Sequence, residues 1–151
     1  MKIREFQEYL KDRISKVEAL VNGNCKAFAE DTRSVYDESS QFIRAGGVAV
    51  VVVTPDLQRN GCAADGIPMD TKLLVRCMEL PPVAGSNPNT IRALDAAEIV
   101  GHALDGETLQ WESVRQTQSQ DREGNSVITA TATFNTTIYL TKVEAAPSPL
   151  T

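Results

Sequence analysis

The chain has 151 residues, of which 42% are hydrophobic and 23% charged, and this balance predicts one folded globular domain. Its formal net charge of −5 argues against binding to nucleic acid or to an anionic membrane surface, because both need clustered cations. Three cysteines without C-x-x-C spacing predict reduced thiols, with Cys77 buried, rather than a disulfide framework or a zinc site. The charged N-terminus and the shortness of every apolar run predict neither a signal peptide nor a membrane span.

The first half of the chain predicts two helices and two strands. Apolar residues at spacings of three and four favour a helix over residues 3–21, which Asn22-Gly23 ends. A short strand is expected in "NCKAFAED", and a second helix in "SVYDESSQFIRAGG". The run "GGVAVVVVTP" has no polar alternation, which is typical of a strand that is covered on both faces.

The middle of the chain predicts a loop, a strand and a third helix. Residues 56–70, "DLQRNGCAADGIPMD", contain two turn dipeptides and are expected to form a loop or long turn, the tip of a hairpin if the flanking strands pair. A strand follows over residues 72–80. The segment "TIRALDAAEIVGHALDG" predicts a helix that Asn89 or Thr90 caps. The residues expected on its buried side are Ile91, Leu94, Ile99 and Leu104.

The last two strands, "TLQWESVRQTQSQD" and "SVITATATFNTTIYLT", are expected to pair as a hairpin through "REGNS". The predicted fold class is therefore α+β, a single domain over residues 1–142. Its sheet would be mostly antiparallel (mixed), with about five strands and two or three helices packed on it. Residues 143–151 are expected to form a flexible tail.

Small and apolar residues alternate with threonines along the last predicted strand. Ala130 and Ala132 would face the helices and let one approach closely, while Thr129, Thr131 and Thr133 would face outward. Three interpretations of these threonines are an exposed sheet face, an ice-binding surface and a contact with another subunit. An ice-binding surface needs several stacked rows, and the sequence has one. The preceding strand offers other outward residues, namely Arg115, Thr117 and Ser119.

Residue types that carry catalysis or bind ligands are sparse. His102 is the single histidine, it lies in a predicted helix, and no G-x-S-x-G motif accompanies it, so we predict that the protein is not an enzyme. The loop carboxylates Asp56, Asp65 and Asp70 lack the spacing of an EF-hand. No Walker A or G-x-G-x-x-G motif occurs. We therefore predict neither a metal nor a cofactor.

Four stretches resemble the tail terminators and the related minor tail (tail-completion) proteins of phages. "GGVAVVVVTP" is similar to their valine-rich central strand, "KLLVRCMELP" to its partner strand, and "AAEIVGHAL" to the helix before the last hairpin. The stretch from "LQWES" to "TTIYL" is similar to their closing strand pair. The first predicted helix also fits by its position.

The resemblance implies a non-enzymatic structural protein of a phage or prophage tail. Such subunits form a ring, usually of six, that caps the tail tube and joins it to the head-connector. The implied partners are copies of the chain itself, the tail-tube protein and the head-connector protein, in a virion tail assembled in the bacterial cytoplasm. The contact surface is expected at Thr129, Thr131 and Thr133, or in the loop that holds Asp65 and Asp70. Two alternatives remain, namely a small-molecule or protein binding module and another injection-apparatus subunit.

Overall fold

The computed structural model describes residues 1–30, 34–64, 66–81, 89–120 and 124–142. The helices are α1 (Ile3–Ser15), α2 (Glu18–Asn22), α3 (Val35–Arg44) and α4 (Ala93–Leu104). The strands are β1 (Cys25–Ala29), β2 (Val48–Val52), β3 (Asp56–Arg59), β4 (Ile67–Glu79), β5 (Leu109–Gln120) and β6 (Ser126–Leu140). The tail predicted at 143–151 lies outside the described residues.

All the strands belong to one mixed sheet with the order β1-β2-β4-β6-β5. Strands β1 and β2 run parallel, and the other pairs are antiparallel. Strand β3 follows β2 along the same edge of β4, since Val52 lies opposite Val75 and Asp56 opposite Lys72. The predicted α+β fold with a mostly antiparallel sheet is therefore confirmed. The short elements α2 and β3 were not predicted.

The valine run in β2 is buried on both faces, as its sequence predicts. Val50 and Val52 face the main core with α1 and α4, while Ala49 and Val51 face a smaller core under α3. Helix α3 contacts the second face at β1 and β2, and the core beneath it extends to Val127 at the start of β6. Its buried side chains are Val35, Ser39 and Ile43.

Helix α4 packs on β6 mainly through small residues; of the large ones that were predicted, Leu104 is buried, Ile91 and Ile99 are half-buried against the main core, and Leu94 is not buried. Leu94 is 45% exposed, and the buried face of α4 consists largely of alanine and glycine together with Val100 and Leu104. Ala130 and Ala132 lie beneath it in the main core, so the helix can approach closely. At Gly101 the approach is so close that an added Cβ would lie 2.3 Å from the ring of Trp111.

The expected cap of α4 is also wrong. The helix begins at Ala93 without a side-chain cap, and Thr90 accepts a hydrogen bond from Asn24 at 3.2 Å instead. Arg92, the residue before the helix, forms an ion pair with the buried Glu79 at 2.7 Å. This ion pair ties the start of α4 to the end of β4.

The helix predicted over residues 3–21 is broken at Val17, whose backbone is extended with φ −74° and ψ 109°. A continuous helix would place Val21 on the same apolar stripe as Leu10 and Ile14. After the break, Leu20 is buried and Val21 is 57% exposed. The break therefore turns a different apolar side chain into the core.

Residues 56–70 form much less of a loop than the turn dipeptides predict. The flanking strands pair, so the segment is a hairpin, but β3 and the start of β4 occupy most of it. Leu57 packs against the main core, and Thr71, which lies opposite it, is buried. The anchored apolar side chain explains why pairing extends beyond Pro55.

Candidate functional site: the uncovered sheet face

The face of β4, β6 and β5 that points away from α4 carries the predicted threonines. Pairing places Leu74 opposite Thr133, Arg76 opposite Thr131, and Met78 opposite Thr129. On the other side of β6, these three threonines lie opposite Ser113, Arg115 and Thr117. We call Thr129, Thr131 and Thr133 the threonine row, and we call these nine residues the open face.

A bulge in β5 decides which of its residues belong to the open face. Trp111 lies opposite the buried Phe134, and Ser113 lies opposite Thr133, so Glu112 is an extra residue between them. A bulge of this kind shifts the alternation of side chains by one position. It brings Arg115 onto the same face as the threonine row.

Two arginines flank the threonine row at the same level. Arg76, Thr131 and Arg115 form one line across three neighbouring strands, which puts the arginine Cα atoms about 10 Å apart. Both arginine side chains are exposed, and within the described parts of the chain neither forms a salt bridge or a side-chain hydrogen bond. The nine residues of the open face carry two positive charges, on a chain whose net charge is −5, and the carboxylate of Glu112 lies at one end of this face, where it accepts a hydrogen bond from Asn135 at 2.8 Å.

Half-buried side chains form the floor between these arginines. The three threonines of the row, together with Leu74 and Met78, are neither buried nor fully exposed. The described structure gives the hydroxyls of the threonine row no hydrogen-bond partner. The floor can thus contact apolar groups through methyl groups and polar groups through the hydroxyls.

A polar cleft of about 1000 Å³ lies at the other end of the sheet, toward β3 and the segment before β5. Asp70 lines it, with Asn60 donating a hydrogen bond to its Oδ1 at 2.9 Å. The other polar side chains that line the cleft are Asp56, Gln58, Lys72, Glu107, Gln110 and Asn135.

The residues that we predicted from the sequence to contact another subunit do not all lie together in the structure. Thr129, Thr131 and Thr133 lie together, but Asp70 pairs with Thr137, roughly 20 Å along the strand from Thr131. Asp65 lies outside the described residues. Sequence reasoning missed Leu74, Arg76 and Met78, because only the register between β4 and β6 places them beside the threonine row. A signal for Arg76 was present, since it is a charged residue within an apolar strand.

The cysteines and the histidine lie outside the open face. Two of the cysteines, Cys25 and Cys77, are also unsuited to act as nucleophiles. Burial, with a smaller effect of Glu79, raises the pKa of Cys25 to about 12. Burial also raises the pKa of Cys77, which is fully buried as predicted. Both thiols are therefore protonated at neutral pH and are poor nucleophiles. Cys62 is exposed, and all three cysteines are free. His102 is exposed on α4, 3.8 Å from Glu98 and edge-on to Trp111.

The described residues contain neither a candidate metal site nor a candidate membrane-spanning helix. No group of three or more His, Cys, Asp or Glu side chains there is arranged to hold a metal ion. No helix in the described ranges is both long and apolar enough to cross a membrane.

No protein-family model matches the chain, and no curated protein matches it either.

Proposed function

We propose that the protein is a non-enzymatic structural subunit of a phage or prophage tail. It assembles into a ring, usually of six copies, that caps the tail tube and joins it to the head-connector. The proposal starts from the resemblance of four sequence stretches to tail terminators and minor tail proteins. Its expected partners are further copies of the chain, the tail-tube protein and the head-connector protein, and its expected location is the virion tail.

The uncovered face of the sheet is the observation that carries this proposal. Helices cover the centre of one face, where Ala130, Ala132 and Phe134 are buried, and the smaller core under α3 covers the β1–β2 part of the other and extends to Val127. The rest of the second face presents half-buried Leu74 beside the threonine row, with Met78 at the edge of the smaller core. A mixed surface of small polar, aliphatic and arginine side chains suits a protein–protein contact, in which arginine and methionine are enriched. A subunit that meets its neighbours through such a face needs no catalytic group.

The mass of the protein in solution tests the proposal. Light scattering after size exclusion, over a range of protein concentrations, should show a discrete species near six times 16.4 kDa. Electron microscopy of that species should show closed rings. A protein that stays monomeric at every concentration, or that forms only open chains, would contradict ring assembly. Closed rings alone would not separate a tail terminator from a ring subunit of another injection apparatus, so the partner should then be sought by binding to tail tubes.

The polar cleft favours a second candidate function, the binding of a small polar ligand. Carboxylates, amides and Lys72 converge there on a cavity of about 1000 Å³, which is at the upper end for a ligand site. A binding module predicts a rise in melting temperature with a panel of sugars, amino acids or nucleotides. It also predicts that Asp70→Asn abolishes this rise, whereas Thr131→Ala on the open face leaves it intact. No rise with any member of the panel would count against this candidate.

A further inference from the structure

We propose that the threonine row binds helix α4 of a second copy of this chain, with Arg76 and Arg115 facing the acidic outer side of that helix. The inference rests on the proposed function, because it names the contact that would join neighbouring subunits. It makes the contact heterologous, since α4 and the open face lie on opposite sides of the sheet.

The space between the two arginines fits a helix. Their Cα atoms stand about 10 Å apart, which matches the diameter of a helix with its side chains. The floor between them consists of the three small threonine side chains together with Leu74 and Met78. On the reverse side of the same strand, Ala130 and Ala132 already support a helix, the chain's own α4. Strand β6 thus offers two surfaces of small residues, of which one is covered and one is not. Helices on both faces of a sheet are a stable layer arrangement.

Charge points to α4 as the helix that is bound. Its outward side presents Asp95 and Glu98, one turn apart, beside the 45% exposed Leu94. Arg92 is already paired with Glu79, and Arg13 lies beyond the acidic stretch, where it donates to the Ala103 carbonyl. The acidic stretch of α4 therefore faces outward without an intervening lysine or arginine.

The other helices fit the arginines less well. The outward side of α1 mixes acids with Arg4, Lys11 and Arg13, so its net charge is close to zero. Helix α3 adds Arg44 to its acids and lies on the same face of the sheet as the threonine row. Among the helices in the described ranges, only α4 combines an acidic outer side, an exposed leucine and a position on the opposite face.

A repeating assembly follows from this placement. Each copy offers α4 on one side of its sheet and the threonine row on the other, so every copy can bind two neighbours. A heterologous contact closes into a ring when the rotation between neighbours allows it, and otherwise gives an open chain. Charge complementarity also makes the association sensitive to salt.

A charge-reversal experiment tests the contact. Self-association of the full chain is measured by sedimentation or light scattering for wild type, Arg76→Glu/Arg115→Glu, Asp95→Lys/Glu98→Lys and the quadruple variant. We expect each double variant to weaken association by roughly tenfold or more, and the quadruple variant to recover most of that loss. Lys16→Glu/Lys142→Glu is the matched control for the arginine double variant, because it makes the same change in net charge as that variant at two exposed positions away from the contact.

The outcomes separate this inference from the proposed function. Closed rings that persist in both double variants would overturn the α4 contact and leave the ring proposal standing. Open chains that show the loss and its recovery would support the contact and overturn the ring. A wild-type protein that remains monomeric up to millimolar concentration would overturn the contact. Double variants that weaken association without recovery in the quadruple variant would also overturn it, provided that each variant unfolds at the wild-type urea concentration.

Discussion

The two faces of β6 differ although they belong to one strand. Toward α4 the strand presents Ala130, Ala132 and Phe134, all fully buried, and away from α4 it presents the half-buried threonine row. Both faces use small side chains at their centre. At the centre of the covered face, Ala130, Ala132 and Phe134 and their β4 partners Cys77, Val75 and Leu73 carry neither a hydroxyl nor a charge, so the apolar side of α4 can seal this part of the strand. The open face has hydroxyls and two arginines, and these groups keep it compatible with water.

Side-chain size and side-chain polarity therefore have separate roles along β6. Small size on both faces allows close approach of another element. On the covered face the apolar side chains are sealed by α4, and on the open face the hydroxyls and arginines remain in contact with solvent. The contrast can be tested by comparing thiol labelling or the free energy of unfolding at a residue on the covered side with that at a matched position elsewhere.

The largest difference should be in the reactivity of the thiols, between the half-buried Cys25 and the buried Cys77 on one side and the exposed Cys62 on the other. Because burial raises the pKa of Cys25 to about 12, its thiolate fraction near pH 8 is about a thousandfold below that of an ordinary cysteine. Cys77 is protected by burial as well. Iodoacetamide should therefore label only the exposed Cys62 in the native protein, and all three thiols in urea. Mass spectrometry counts the labels, and rapid native labelling of a second cysteine would show that the covered face opens.

Truncation to alanine should lower the stability of the protein on the covered face of β6 but not on its open face. Phe134→Ala should lower the free energy of unfolding by about 3–5 kcal/mol, because it leaves a cavity in the main core. Thr133→Ala, the adjacent residue on the open face, should change it by no more than about 0.5 kcal/mol. Urea unfolding of both variants measures the difference. Equal losses would mean that the open face is packed in the isolated subunit.

The close approach of α4 to the sheet should also be measurable. Gly101→Val places a side chain against the ring of Trp111 and should cost about 1–3 kcal/mol. Gly106→Val is the control, because an added Cβ at Gly106 meets nothing within 4 Å. Urea unfolding and the emission of Trp111, the single tryptophan, report both effects. A Gly101→Val protein with wild-type stability and emission would show that α4 lies farther from the sheet.

Much of the fold follows from the sequence, because the position of a helix or strand depends on local periodicity. The valine run of β2, the pairing of β5 with β6 and the outward side of the threonine row were all predicted and observed. The buried side of α4 was predicted correctly at Leu104 and wrongly at Leu94, while Ile91 and Ile99 are half-buried against the main core. Leucine and alanine are both apolar, and only the distance to β6 decides that the alanines lie inside and Leu94 outside.

The sequence by itself determined that Thr129, Thr131 and Thr133 share one face of a strand, because side chains alternate along any extended backbone. It also determined that Ala130 and Ala132 point the other way. Only the tertiary structure decided that Arg76 and Arg115 stand on either side of Thr131. That alignment depends on the register of β6 with both neighbours and on the bulge at Glu112. Register and bulges are set by packing between segments that are distant in the chain, and local stereochemistry does not encode them.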